Sequence, residues 1–130
     1  MYVFLGWLNI GLFTVMTAPF WLRVLNTHVL HIKGGGYAQV IRRLRQIHKP
    51  LGVLILILAL VHGYLALGAF RLHTGSLVWL ATAATATLGI LFFRLKKKTL
   101  FAWHKRMVLA ILFFVLLHIL FPDALYYILY

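Results

Sequence analysis

Four histidines that repeat one spacing are the residues of this 130-residue sequence best suited to chemistry. His48 and His62 lie 14 positions apart, and His104 and His118 are separated by the same interval further along the chain. Imidazole transfers protons near neutral pH and is the commonest metal ligand among side chains. At about 100° per residue, 14 helical positions fall about 40° short of four turns, so each pair shares a helix face. Its members are then separated by about 21 Å along the helix axis.

The repeat extends beyond the histidines themselves. An offset of 56 positions (48 to 104) relates two sets of residues: His48-Lys49 with His104-Lys105, and His62 with His118. An internal repeat of this kind indicates two equivalent halves of a site rather than chance.

The segments that carry these histidines are predicted to be membrane-spanning helices. Hydrophobic residues make up 64% of the chain and charged residues 11%, too few to cover a soluble domain. A helix needs about 20 apolar residues to cross the hydrocarbon core. Four segments meet this requirement: 2–25, 50–70, 76–93 and 101–120. We expect an all-α integral membrane four-helix bundle, formed by a single domain of residues 1–130.

The connection between the first two segments has its own pattern. Gly34, Gly35 and Gly36 predict a break in the helix. The stretch 37–47 is then expected to lie at the interface as an amphipathic segment, with its arginines among the lipid headgroups.

Basic residues are distributed unevenly around the four segments. Twelve of the thirteen lysines and arginines flank the first and third connections, and Arg71 alone flanks the second. The positive-inside rule predicts that the basic connections face the cytoplasm and that both termini lie outside a cytoplasmic (plasma) membrane. Because orientation explains the net charge of +12, nucleic-acid binding is not expected.

The histidine arrangement fits two haems between helices 2 and 4. One spanning helix separates these two, so they run parallel and bring their histidines to two matching levels. A six-coordinate haem takes one axial imidazole from each side. The sequence therefore predicts two haem b groups, an inner one on His48/His104 and an outer one on His62/His118. The chain has no cysteine, which excludes iron–sulfur clusters and covalent c-type attachment.

Other interpretations of the histidines remain open. A lone intramembrane histidine can simply hydrogen-bond between helices, and a series of histidines can conduct protons. Such proton paths normally include buried carboxylates, and Asp123, the single acidic residue, falls outside the predicted spans. Zinc is disfavoured, because its ligands must converge on one ion. His28, His31 and His73 lie in connections and are expected to be solvated, unless His73 lines a proton or quinone path at the outer haem.

Cations beside the inner histidines are candidates for binding the haem propionates. They are Lys49, Lys105, Arg45 and Arg106. Lysine and arginine match a carboxylate in charge and hydrogen bonding, although the same residues also serve as cytoplasmic anchors. Small residues such as Gly52, Gly63 and Gly89 could make room for the haems or permit close helix packing.

The sequence around the first histidine resembles a known family. The run RRLRQIHKPLG, from Arg42 to Gly52, with His62 after it, resembles the haem-binding helix of ferric-reductase-like transmembrane domains. His104 and His118 are similar to its second haem-binding helix. That family includes NADPH oxidases and the haem-bearing subunit of bacterial methionine-sulfoxide reductase systems, and the architecture is similar to diheme cytochrome b. The resemblance covers roughly residues 42–120.

The resemblance implies electron transfer across the membrane through bis-histidine haems. The donor would be a cytoplasmic flavoprotein or a quinol, and the acceptor would lie on the outer side. Many members have six helices and a cytoplasmic flavin and nucleotide domain, whereas this chain has four predicted helices and no nucleotide motif. We therefore expect an electron-transfer module or subunit of an oxidoreductase, with no catalytic residues of its own. The alternative is a membrane anchor subunit whose haems serve quinone oxidation or reduction by a partner enzyme.

Overall fold

The computed structural model describes residues 1–69 and 71–129, and all regular structure in those residues is helical. The four long helices are α1 (Tyr2–Leu25), α2 (Gly35–Leu67), α3 (Thr74–Leu95) and α4 (Lys98–Leu120). A π-helical turn at Asn26–Leu30 extends α1, and a short helix α5 (Ala124–Leu129) follows α4. Phe70, the predicted end of the second span, and Tyr130 lie outside the described residues.

All four long helices can cross a membrane by length and composition. α1 with its π-helical turn has 29 residues, and α2, α3 and α4 have 33, 22 and 23. Large apolar side chains are exposed along their length; Leu109 and Phe113 of α4, for example, are 63% and 62% exposed. Apolar surface on this scale suits lipid as the surrounding solvent. The prediction of an all-helical chain with four membrane-length helices is confirmed.

The second helix begins earlier than the sequence predicted. α2 is continuous from Gly35 to Leu67 and includes the stretch 37–47, for which the sequence predicts an amphipathic interfacial segment. The non-helical connection is residues 31–34, so two of the three glycines belong to the first turn of α2. Pro50 lies inside the helix, where it removes the backbone hydrogen bond that Gln46 would otherwise accept.

The chain divides within α2 into two compact units, Met1–Ala59 and Leu60–Tyr130. In the N-terminal unit, the turn that joins α1 to α2 is held by side chains. The Asn26 amide accepts a hydrogen bond from the backbone N–H of Ile32 at 2.7 Å and donates to its carbonyl at 3.3 Å. The Tyr37 hydroxyl donates to the Leu22 carbonyl, which ties the first turn of α2 to the last turn of α1.

In the C-terminal unit, α3 and α4 pack as antiparallel neighbours. Phe92 near the end of α3 stacks on Phe101 near the start of α4, with ring centres 4.9 Å apart. Small side chains on α3 permit this close packing. The buried residues of α3 are Thr74, Ala81, Thr82 and Thr85.

A capping box starts α3. The His73 ring accepts a hydrogen bond from the backbone N–H of Gly75, and the Ser76 hydroxyl accepts one from the backbone N–H of His73. Donors of the first turn that would otherwise lack partners are thereby satisfied. The cap fixes the start of α3 at Thr74, so that Thr74 lies beside His118 near the end of α4.

Candidate functional site

Two of the predicted ligands, His62 on α2 and His118 on α4, lie close together in the C-terminal unit. Their ring centres are 6.4 Å apart and their ring planes meet at 81°. With a metal–imidazole bond of about 2 Å on each side, two axial imidazoles have ring centres roughly 6 Å apart. The two residues therefore fit, in donor type and in spacing, the ligand pair of a six-coordinate haem.

The buried residue Thr74 fixes the tautomer of His118. The Thr74 hydroxyl lies 2.6 Å from the Pro122 carbonyl, which can only accept, so the hydroxyl hydrogen is used there. Nδ1 of His118 lies 2.9 Å from the same hydroxyl oxygen and must be the donor. A proton on Nδ1 leaves the lone pair of the neutral ring on Nε2, the nitrogen that a metal would then take. Thr74 has 0% exposure, so solvent does not compete for these bonds.

His104 is held through the same ring atom by a different acceptor. Its Nδ1 lies 2.8 Å from the backbone carbonyl oxygen of Thr85 on α3. Because a carbonyl only accepts, Nδ1 carries the proton and Nε2 the lone pair.

His48 repeats this pattern in the N-terminal unit. Its Nδ1 donates to the Met16 carbonyl of α1 at 3.1 Å. Three of the four predicted ligands thus donate a hydrogen bond from Nδ1 to an acceptor on a neighbouring helix. Metal-ligating histidines almost always make such a bond, which sets the ring orientation and the ligating nitrogen.

Two glycines of α3 lie directly against the ligand rings of α4. A Cβ added at Gly75 would lie 3.2 Å from Cε1 of His118, and one at Gly89 would lie 3.1 Å from Cε1 of His104. The glycines are 14 positions apart, like the histidines that they face. The sequence pattern indicates Gly89 only as a source of space and does not indicate Gly75 or Thr74; the 14-residue spacing of the two glycines is the signal for Gly75.

His73 is less exposed than a solvated connection residue. Its side chain is 16% exposed, caps α3, and has its ring centre 5.4 Å from that of His118. Nε2 of His73 lies 3.5 Å from a carboxylate oxygen of Asp123, whose side chain is 67% exposed. The capping role of His73 is not predicted by the sequence, and a proton or quinone path at this residue stays a prediction.

The remaining connection histidines lie at the end of α1. His28 is exposed within the π-helical turn, and His31 follows it with a left-handed backbone (φ 50°). An open apolar cavity of about 330 Å³ adjoins His28. Its lining is Trp21, Leu22, Val24, Leu25, His28 and Val29.

The basic residues proposed for the propionates are all exposed, as Lys49 and Arg45 on α2 illustrate. On α4, Lys105 has its Nζ 4.9 Å from the ring centre of Phe101, and the Arg106 guanidinium lies 5.3 Å from that of Trp103. These cation–π contacts suit residues at a membrane interface. Binding of propionates by these residues stays a prediction.

No group of three or more His, Asp or Glu side chains converges on a metal position within residues 1–69 and 71–129. Comparison with protein families, curated proteins and solved structures finds no match to this chain. The resemblance of residues 42–120 to ferric-reductase-like domains stays a prediction.

Proposed function

We propose that this chain is a small diheme cytochrome b that transfers electrons across the membrane. His62 and His118 hold the outer haem, and His48 and His104 hold the inner one. When bound, each haem carries one electron at a time as its iron changes between the ferric and ferrous states.

The proposal depends on one feature that three of the ligand histidines share: each donates a hydrogen bond from Nδ1. His48, His104 and His118 each donate an Nδ1 hydrogen bond, so each neutral ring has its lone pair on Nε2. The lone pair on Nε2 is the one through which we propose that these rings bind iron, and the Nδ1 bond sets the orientation of each ring. The same choice at three positions is expected if all three bind a metal through Nε2.

The pairing of the ligands has two different supports. For the outer pair, the 6.4 Å between the ring centres of His62 and His118 matches axial ligation. For the inner pair, the support is the sequence: His48 and His104 precede the outer ligands by the same 14 positions.

The proposed partners follow from the distribution of charge and from the resemblance to ferric-reductase-like domains. Nearly all the basic residues flank two connections, which we assign to the cytoplasmic side of a plasma membrane, with both termini outside. A cytoplasmic flavoprotein or a quinol supplies electrons, and an acceptor on the outer side receives them. A haem-bearing anchor subunit for a quinone-reactive partner enzyme would use the same ligands.

Haem content tests the proposal directly. The chain, expressed with ample haem supply and purified in detergent, should bind two haems per chain. Its reduced-minus-oxidised spectrum should be that of low-spin, bis-imidazole haem b. Haem content near zero under these conditions would overturn the proposal.

A histidine-lined proton path is the second candidate function. It is favoured by the succession of His62, His118 and His73, with ring centres 6.4 and 5.4 Å apart, which ends at the Asp123 carboxylate. Such series of ionisable groups occur in proton relays. Haem-free protein in liposomes would then dissipate a proton gradient, and a His118→Ala variant would not. A haem-loaded protein without proton flux would exclude this candidate.

A further inference from the structure

We propose that helix α3 positions both ligand imidazoles of α4, with Thr74, Gly75 and Gly89 as its positioning residues. The inference rests on the proposed function, because it assigns a role in haem ligation to a helix that supplies no ligand. Each α4 ring meets α3 at two places: a glycine lies against the ring, and an acceptor binds its Nδ1.

The glycines set the distance between each ring and α3. Carbon atoms in favourable contact are about 3.5–4.0 Å apart. An alanine Cβ at Gly75 or Gly89 would lie 3.2 or 3.1 Å from the facing ring. Any side chain at either position therefore has to displace the imidazole by a few tenths of an ångström or more.

The acceptors set the direction in which each ring points. The Thr85 carbonyl binds Nδ1 of His104 from one turn before Gly89. Together, the contact with the glycine and the hydrogen bond define both the ring plane and the direction of the Nε2 lone pair. Gly75 and Gly89 of α3 are thus separated by the same 14 positions as the ligands His104 and His118 of α4.

The contacts that α3 makes with the inner ligand His104 and the outer ligand His118 differ in the acceptor of the Nδ1 hydrogen bond. A carbonyl equivalent to that of Thr85, 14 positions earlier, would belong to Arg71, which precedes the start of α3. The Thr74 side chain supplies the acceptor instead, and its hydroxyl is polarised by its own bond to Pro122. The outer ligand therefore depends on a side chain that can be replaced, whereas the inner ligand depends on backbone.

This difference predicts how the outer haem responds to mutation. An acceptor on Nδ1–H makes the imidazole a more basic ligand, which favours ferric iron and lowers the midpoint potential. Thr74→Val keeps the shape and removes the acceptor, so the midpoint potential of the outer haem should shift upward while that of the inner haem stays unchanged. Thr74→Ser keeps the hydroxyl and should restore the wild-type potential.

The glycines provide a second test that does not depend on Thr74. Gly75→Ala should alter the low-spin ferric EPR signal of the outer haem only, and Gly89→Ala that of the inner haem only, because the signal depends on the orientation of the axial rings. Gly11→Ala is the matched control: it is a helical glycine whose added Cβ would meet no heavy atom within 4 Å.

The outcomes separate this inference from the proposed function. Wild-type protein without haem would overturn the proposed function. A different set of results would overturn only the role of α3. In that case the wild type binds haem, both glycine variants give the same EPR signals as Gly11→Ala, and Thr74→Val does not shift the midpoint potential of the outer haem. If Thr74→Val does not fold, the two glycine variants decide the question.

Discussion

The imidazole of His118 lies edge-on to that of His62 at a ring-centre distance of 6.4 Å, and a Cβ added at Gly75 would lie 3.2 Å from its Cε1 atom. If these two rings hold one iron, losing either should release the same haem. His62→Ala and His118→Ala should each reduce the haem content from two to one per chain and remove the same spectral component. His28→Ala is the control, because this exposed residue lies on the π-helical turn and should retain both haems. Different components lost in the two variants would disprove the pairing.

The inner pair can be tested in the same preparation. His48→Ala and His104→Ala should remove the second component and leave the first intact. The pairing depends on helices 2 and 4 running parallel, which follows when one spanning helix separates them. If His48→Ala removed the same component as His118→Ala, the helices would be antiparallel and the assignment of inner and outer haems would be wrong.

The capping role of His73 predicts an effect on stability. His73→Ala removes the acceptor for the Gly75 N–H and should destabilise the protein by about 1 kcal/mol, the usual value for a lost N-cap. His73→Asn should retain most of the stability, because asparagine is a favourable N-cap residue. Thermal unfolding of the two variants in the same detergent measures the difference. Equal stability of alanine and asparagine variants would show that the cap contributes little.

The distribution of basic residues predicts the orientation of the chain. A reporter that is active only outside the cytoplasm should work when fused after the C-terminus and should fail when inserted near Lys97. A cytoplasmic reporter at the same two positions serves as the control and should give the opposite pattern. Reversed activity of both reporters would contradict the assignment of the basic connections to the cytoplasm.

The charge also predicts how a donor protein binds. Reduction of the haems by an acidic flavoprotein should slow steeply as ionic strength rises, because salt screens the attraction that steers association. NAD(P)H alone should reduce the purified, flavin-free protein negligibly. Stopped-flow measurements of haem reduction at several salt concentrations test both statements. Rapid reduction by NAD(P)H in the absence of flavin would contradict the need for a partner.

Hydropathy predicted much of the fold correctly. The first span was predicted at 2–25 and is observed at Tyr2–Leu25, and α4 ends at Leu120 as expected. The break predicted at the glycine run is observed at residues 31–34, and Gly35 and Gly36 begin α2. Glycine is unfavourable in a helix interior but costs much less at a terminus, so a glycine run does not separate a break from a helix start.

The histidine spacing identified candidate ligands, but it did not identify what holds them. The role of Thr74 depends on the antiparallel packing of α3 against α4, which places residue 74 opposite residue 118. It also depends on the turn at Pro122, which takes the hydroxyl hydrogen. Neither contact is local in sequence, so the role of Thr74 cannot be predicted from periodicity or composition.

The length of α2 has a mechanical consequence. Its 33 residues extend about 50 Å, whereas the hydrocarbon core is about 30 Å thick. The arginines at 42, 43 and 45 and the ligand candidate His48 lie on this one continuous helix, which is longer than the hydrocarbon core is thick. A protein that bound these arginines would therefore act on the turn of α2 that carries His48. Pro50 weakens the backbone in the same turn, so bending would be concentrated where it tilts His48 relative to the rest of α2.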